Sequence, residues 1–167
     1  VKEDRVLDIV KGAILLEHKG KALYESVVQT TKIEAVKELF AWLVREEEKH
    51  IGFLAKQYKR LAKGQNLDVS DFEEDHGETA EMVITDEIVS NVFGAGYEAA
   101  VISAALEFEK KAVEFYSQQA EKAKSEEEID VFQWLSKWET THLQMLAEVD
   151  DELKQQIWFD NQFWPLD

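Results

Sequence analysis

One offset constrains this fold more than any other feature of the chain. A shift of 92 positions carries Ala13 onto Ala105, Glu17 onto Glu109, Lys19 onto Lys111 and Tyr24 onto Tyr116. The same shift carries Phe40 onto Phe132, Trp42 onto Trp134, Leu43 onto Leu135, Glu47 onto Glu139, His50 onto His142 and Leu54 onto Leu146. No gap is needed. A single offset that serves two successive segments implies two similar units related by an approximate twofold axis.

Each unit reads as a pair of long helices. Helical periodicity runs over residues 3–31, 33–62, 97–123 and 126–156, with Gly64 closing the second segment. Such segments span about 40 Å at 1.5 Å per residue. The whole chain holds one Pro and seven Gly, too few breakers for many short strands. The links within each pair are very short, so hairpin one (3–64) and hairpin two (97–156) are antiparallel. A long connection, residues 65–96, separates them, acidic and loop-like at first and with a short helix expected over 82–93. A connection of that length can run back along a bundle and make the second and third helices parallel. The expected fold is all-α: one domain, an antiparallel four-helix bundle of two repeated hairpins joined by a long crossover. An aromatic tail, residues 157–167, should pack on the bundle or on a partner subunit.

At 167 residues the chain can bury one real core. Its buried faces are predicted at steps of three and four. They comprise Val10, Ala13, Glu17, Gly20, Tyr24 and Val27 on the first helix, and Phe40, Leu43, Glu47, His50, Leu54 and Tyr58 on the second. The third gives Ile102, Ala105, Glu109, Ala112 and Tyr116, and the fourth Phe132, Leu135, Glu139, His142, Leu146 and Val149. Each apolar stripe is interrupted in mid-helix by a carboxylate, and two also by a histidine one turn later.

Buried carboxylates are costly unless paired or bound to a cation. Four at one level of a core repel one another, and two divalent ions would cancel their charge. Glu and His at i and i+3 share a face, so one helix can offer both an oxygen and a nitrogen. That donor mixture suits iron or manganese, and zinc also. Glu17, Glu47, His50, Glu109, Glu139 and His142 are therefore the candidate metal ligands. The bland alternative is a buried salt-bridge network. Tyr24 and Tyr116, two turns beyond the single glutamates, either hydrogen-bond a ligand carboxylate, supply an electron, or are simply buried phenols with a partner. Glu73-x-x-His76 matches the same spacing but reads as a solvated loop, and His18 reads as a surface residue or one behind the ligands. Phe40, Trp42, Phe132 and Trp134 read as core.

The net charge of −16 argues against nucleic acid or an anionic membrane as partner. The chain has no cysteine, which excludes disulfides and thiolate-bound metal within it. No apolar run approaches a membrane span and no signal-like segment opens the sequence, so a cytoplasmic protein is expected.

With these residues in place, the sequence resembles the ferritin-like superfamily and, within it, the di-iron domain of the rubrerythrin family. The stretches Ala105-Leu-Glu-Phe-Glu-Lys-Lys-Ala-Val-Glu-Phe-Tyr116 and Arg45-Glu-Glu-Glu-Lys-His50 are similar to that family's helix patterns. The resemblance implies a di-iron centre with Glu47 and Glu139 bridging, Glu17 and Glu109 terminal, and His50 and His142 each completing one metal. It implies reduction of hydrogen peroxide or dioxygen, or oxidation of ferrous iron. Two departures stand out. There are no cysteines for a rubredoxin-type iron, so electrons must come from a separate donor protein or from ferrous iron. The additional glutamate that rubrerythrins carry one turn after the third-helix ligand is here Ala112. Non-catalytic iron or manganese binding is the alternative function, and a metal-free helical interaction protein a third. A homodimer is expected, since the tail and crossover leave apolar surface to cover.

Overall fold

The computed structural model describes residues 2–72 and 96–160. Four long helices account for most of them: α1 (Lys2–Thr30), α2 (Glu34–Ala62), α3 (Gly96–Glu121) and α4 (Glu126–Asp160). α1 packs along α2 and α3 along α4, forming two hairpins, and α1 also meets α3. The sequence-expected short helix over 82–93, the Glu73/His76 pair and residues 161–167 lie outside the described residues.

The helix ends follow from local chemistry. α2 stops because Gly64 takes φ +70°, where a side chain is strained. Gln65 N–H then bonds the Arg60 carbonyl and Gly64 N–H the Leu61 carbonyl, a Schellman closure that satisfies the last turn. α4 starts on Ser125, whose hydroxyl accepts from Glu128 N–H at 3.3 Å, while the Glu128 carboxylate accepts from Lys124 N–H at 3.0 Å. Glu126, Glu127 and Glu128 in that first turn also suit the positive end of the helix dipole. α4 continues beyond the expected stop near 156 to Asp160. The sequence offers it no Gly or Pro between 97 and 164.

Two apolar clusters build the core. One joins Tyr24, Phe40, Leu43, Ile102, Ala105, Leu146 and Val149 with their neighbours. The other joins Val10, Ala13, Leu54, Tyr116, Phe132 and Leu135 with theirs. The 92-residue offset exchanges one cluster for the other, as the pseudo-twofold axis requires. Late α1 and early α2 share a cluster with early α3 and late α4. Hence α1 runs antiparallel to α3, and α2 runs parallel to α3. That is the one-crossover arrangement.

The predicted buried faces hold at every position except Tyr58, which is half-buried. Gln57 is buried in its place, because it meets the chain that leaves α2. Its amide donates to the Asp68 carbonyl at 2.9 Å and accepts from Asp68 N–H at 2.8 Å, as a backbone group would. The start of the crossover is therefore not a plain loop. Leu67 is buried and a 3-10 turn forms at Val69–Asp71.

Candidate metal centre

Between the two apolar clusters the core turns polar. Glu47, His50, Glu109, Glu139 and His142 are all 0% exposed and Glu17 is 1% exposed. All six come from mid-helix positions, one carboxylate each from α1 and α3 and a Glu-x-x-His pair each from α2 and α4. Helical spacing fixes this: residues three apart lie on one face, so each Glu and His point together.

The six form two overlapping groups. Glu17, Glu47, His50 and Glu139 make one, and Glu47, Glu109, Glu139 and His142 the other. Within each, one ligating atom per residue lies within 4.8 Å of all the rest, and Glu47 and Glu139 belong to both. Both histidines turn Nδ1 toward the carboxylates. His50 Nδ1 is 2.9 Å from Glu139 and 3.3 Å from Glu17, and His142 Nδ1 is 3.2 Å from Glu139 and 3.8 Å from Glu109. The two imidazole rings stack with centroids 5.5 Å apart.

The tyrosines cross the bundle. Tyr24 of α1 donates to Glu109 of α3, and Tyr116 of α3 donates to Glu17 of α1. Gly20 leaves room on α1 for Phe108 and Glu47. A Cβ on Gly20 would meet the Phe108 ring at 2.6 Å and the Glu47 carboxyl carbon at 3.4 Å.

Several oxygens lack a hydrogen bond, even where a histidine lies near them. Both Glu47 oxygens and one each of Glu109 and Glu139 are buried without a hydrogen bond. The electrostatics reflect this crowding. Burial, reinforced by the neighbouring carboxylates, pushes the Glu47 carboxyl well up. Burial and Glu139 raise Glu109 to about 7. Burial opposes charge on His50, yet Glu139 and Glu17 beside it raise its pKa to about 10. Burial raises both phenols far above their ordinary value, so they remain donors.

A fifth carboxylate and a tryptophan stand behind the histidines, and neither was a sequence candidate. Glu46 is 4% exposed and lies 3.7 Å from His142 Nε2. It accepts from Lys49 Nζ at 2.9 Å and from Trp138 Nε1 at 3.1 Å. Burial alone would raise its pKa, but the histidine and lysine hold it at about 2. The sequence signal was a mismatch: the offset sets Glu46 against Trp138, within a helix face that otherwise repeats. Trp42 packs edge-on to His142 at 5.3 Å and Trp134 to His50 at 6.5 Å. Trp42, Phe40 and Phe132 are core as expected, whereas Trp134 is half-buried, and His18 lies at the surface.

Four long helices around two overlapping carboxylate–histidine groups define a ferritin-like bundle whose buried site fits two metal ions. The rubrerythrin family model matches residues 8–150, most of the chain, and the chain belongs to the rubrerythrin family. A hypothetical protein from Pyrococcus furiosus is similar in structure, with a TM-score of 0.63 and 27% identity over 90% of each chain. No curated protein matches the chain. No helix among the described residues is long and apolar enough to cross a membrane.

Proposed function

We propose that the chain is a non-haem di-iron oxidoreductase that reduces hydrogen peroxide or dioxygen, with manganese or zinc as alternative occupants of the same residues. One observation carries this reading. Glu47 is fully buried, neither of its oxygens has a hydrogen bond, and it belongs to both groups of candidate ligands. A carboxylate so placed is costly unless cations meet it. Glu47 and Glu139, common to both groups, would be shared by the two ions, with Glu17 and His50 holding one and Glu109 and His142 the other. Two divalent ions balance the four carboxylates, and mixed oxygen and imidazole donors suit iron or manganese.

When bound, a ferrous pair supplies two electrons together to a small oxidant. The chain supplies placement and dryness. Each phenol holds Oε1 of its glutamate and leaves Oε2 on the histidine side, Glu17 Oε2 lying 3.3 Å from His50 Nδ1. This leaves the Oε2 atoms as the ones that would be free to meet an ion. Tyr24 and Tyr116 are also oxidisable phenols in direct hydrogen-bond contact with candidate ligands. Ala112 is buried where rubrerythrins carry a further glutamate, which leaves a six-residue set. These 167 residues hold no cysteine for a thiolate-bound iron, so the electrons are proposed to come from outside them, from a donor protein or from ferrous iron.

Elemental analysis and anaerobic ferrous titration, followed by peroxide or air, test the proposal. Two irons per chain, a near-ultraviolet band on oxidation and repeated turnover with a reductant are expected. Two metals without turnover would leave a metal-binding or buffering protein. No metal at any loading would end the proposal.

A further inference from the structure

The repeat is broken directly behind the histidines of the centre. Position 46 on α2 and its equivalent 138 on α4 both stand behind a histidine, but one is a glutamate and the other a tryptophan. Because both histidines turn Nδ1 inward, a metal bound there leaves the hydrogen on Nε2, directed away from the ions. What receives that hydrogen sets the ring's orientation and its basicity as a ligand.

Neither Nε2 has a hydrogen bond, and the two rings differ in what stands behind them. His142 Nε2 faces the Glu46 carboxylate at 3.7 Å. Glu46 is itself held from two other directions, by Lys49 at 2.9 Å and the Trp138 indole N–H at 3.1 Å. His50 Nε2 is likewise buried without a hydrogen bond, and what stands behind this ring is the edge-on indoles of Trp138 and Trp134, centroids 5.7 and 6.5 Å away. Trp138 therefore acts on both sides. It packs against His50 without accepting its hydrogen, and it steadies the carboxylate that serves His142.

We propose that Glu46 is a positioning residue that makes the two metal positions unequal, strengthening the one built on Glu109 and His142 and leaving the His50 position weaker. This rests on the two-metal reading above. Binding one ion adds a fixed positive charge beside the shared glutamates, so filling proceeds in order, the His142 position first.

The test is an anaerobic calorimetric and absorbance titration of the metal-stripped full chain with cobalt(II). Two unequal steps of one equivalent each are expected. Glu46→Ala should weaken the tighter step by about 10- to 100-fold, as loss of a carboxylate behind a metal-bound histidine does elsewhere, and leave the weaker step in place. Glu46→Gln keeps the shape and an accepting oxygen, and should weaken the same step by about tenfold or less. It serves as the second variant if alanine prevents folding. A merely structural role would move both steps together. Two equal steps in the unaltered chain, or variants that shift both steps alike, would overturn the inference and leave the two-metal centre standing. Absence of any cobalt uptake would overturn both.

Discussion

The phenol of Tyr24 on α1 donates its hydrogen to the Glu109 carboxylate on α3. Its repeat-equivalent Tyr116 reaches from α3 back to Glu17 on α1. Each tyrosine thus serves the glutamate of the other hairpin, so the bonds that orient the site also join the two halves of the bundle. Either bond lies in the dry core, where a lost partner leaves a carboxylate oxygen unsatisfied.

Tyr24→Phe should therefore destabilise the metal-free protein by about 1–3 kcal/mol, and Tyr116→Phe by a similar amount. Both losses should shrink in the metal-loaded protein, where the ions hold the same carboxylates. Urea unfolding with and without chelator measures this. A loss that is the same with and without metal would show that the phenols do not serve the site.

Glu47→Gln should act with opposite sign in the two states. Burial penalises this carboxylate when it is charged, so the amide should stabilise the metal-free fold at neutral pH. It should also lower metal content from two ions to at most one, since Glu47 belongs to both groups. Thermal unfolding of stripped and loaded protein, with elemental analysis, checks both halves. A variant that retained both metals would remove Glu47 from the ligand set.

Metal-free stability should be greatest at mildly acidic pH. Glu109 is raised to about 7 from 4.5, so its contribution is full below pH 4.5 and lost as pH rises through 7. His50 is raised to about 10 from 6.5, so its contribution is full below pH 6.5 and lost as pH rises through 10. Glu46, lowered to about 2, contributes above pH 4.5 and loses that as pH falls through 2. Melting temperatures of chelated protein should fall from pH 5 to pH 9, and the gain from added zinc should grow over that range. A chelated protein that melts higher at pH 9 than at pH 5 would contradict this balance.

Gly20→Ala should change sign with its neighbour. Alanine gains about 1 kcal/mol in a helix interior, but its Cβ would lie 2.6 Å from the Phe108 ring. Overpacking costs about 1–3 kcal/mol, so a small net loss is expected with Phe108 in place. In a Phe108→Ala background the same change should stabilise by about 1 kcal/mol. Denaturant midpoints of the four chains give the coupling directly. Additive effects would mean that the close approach at Gly20 is easily relieved.

Much of the molecule was legible because helices translate spacing into direction. Glu47 and His50 face one way because they are three apart, and the offset of 92 told that Glu139 and His142 do the same. Gly64 stopped α2 where its conformational freedom suggested. Gln57 was not legible, since its burial comes from a chain segment that returns to it rather than from its own helix. Glu46 was visible as one more acidic residue in Arg45-Glu-Glu-Glu-Lys-His50, and nothing local distinguished it from its exposed neighbour Glu48.

By itself, then, the sequence determined four helices, their pairing and the six buried residues of the centre, because period, breakers and repeat are properties of order along the chain. Tertiary structure alone decided that Tyr24 meets Glu109 rather than Glu17, that Gln57 is buried against the returning chain, and that Glu46 stands behind His142. These depend on how the hairpins are rotated and set against each other. That is fixed by packing of the two apolar clusters and by the close approach at Gly20, terms that no single helix contains.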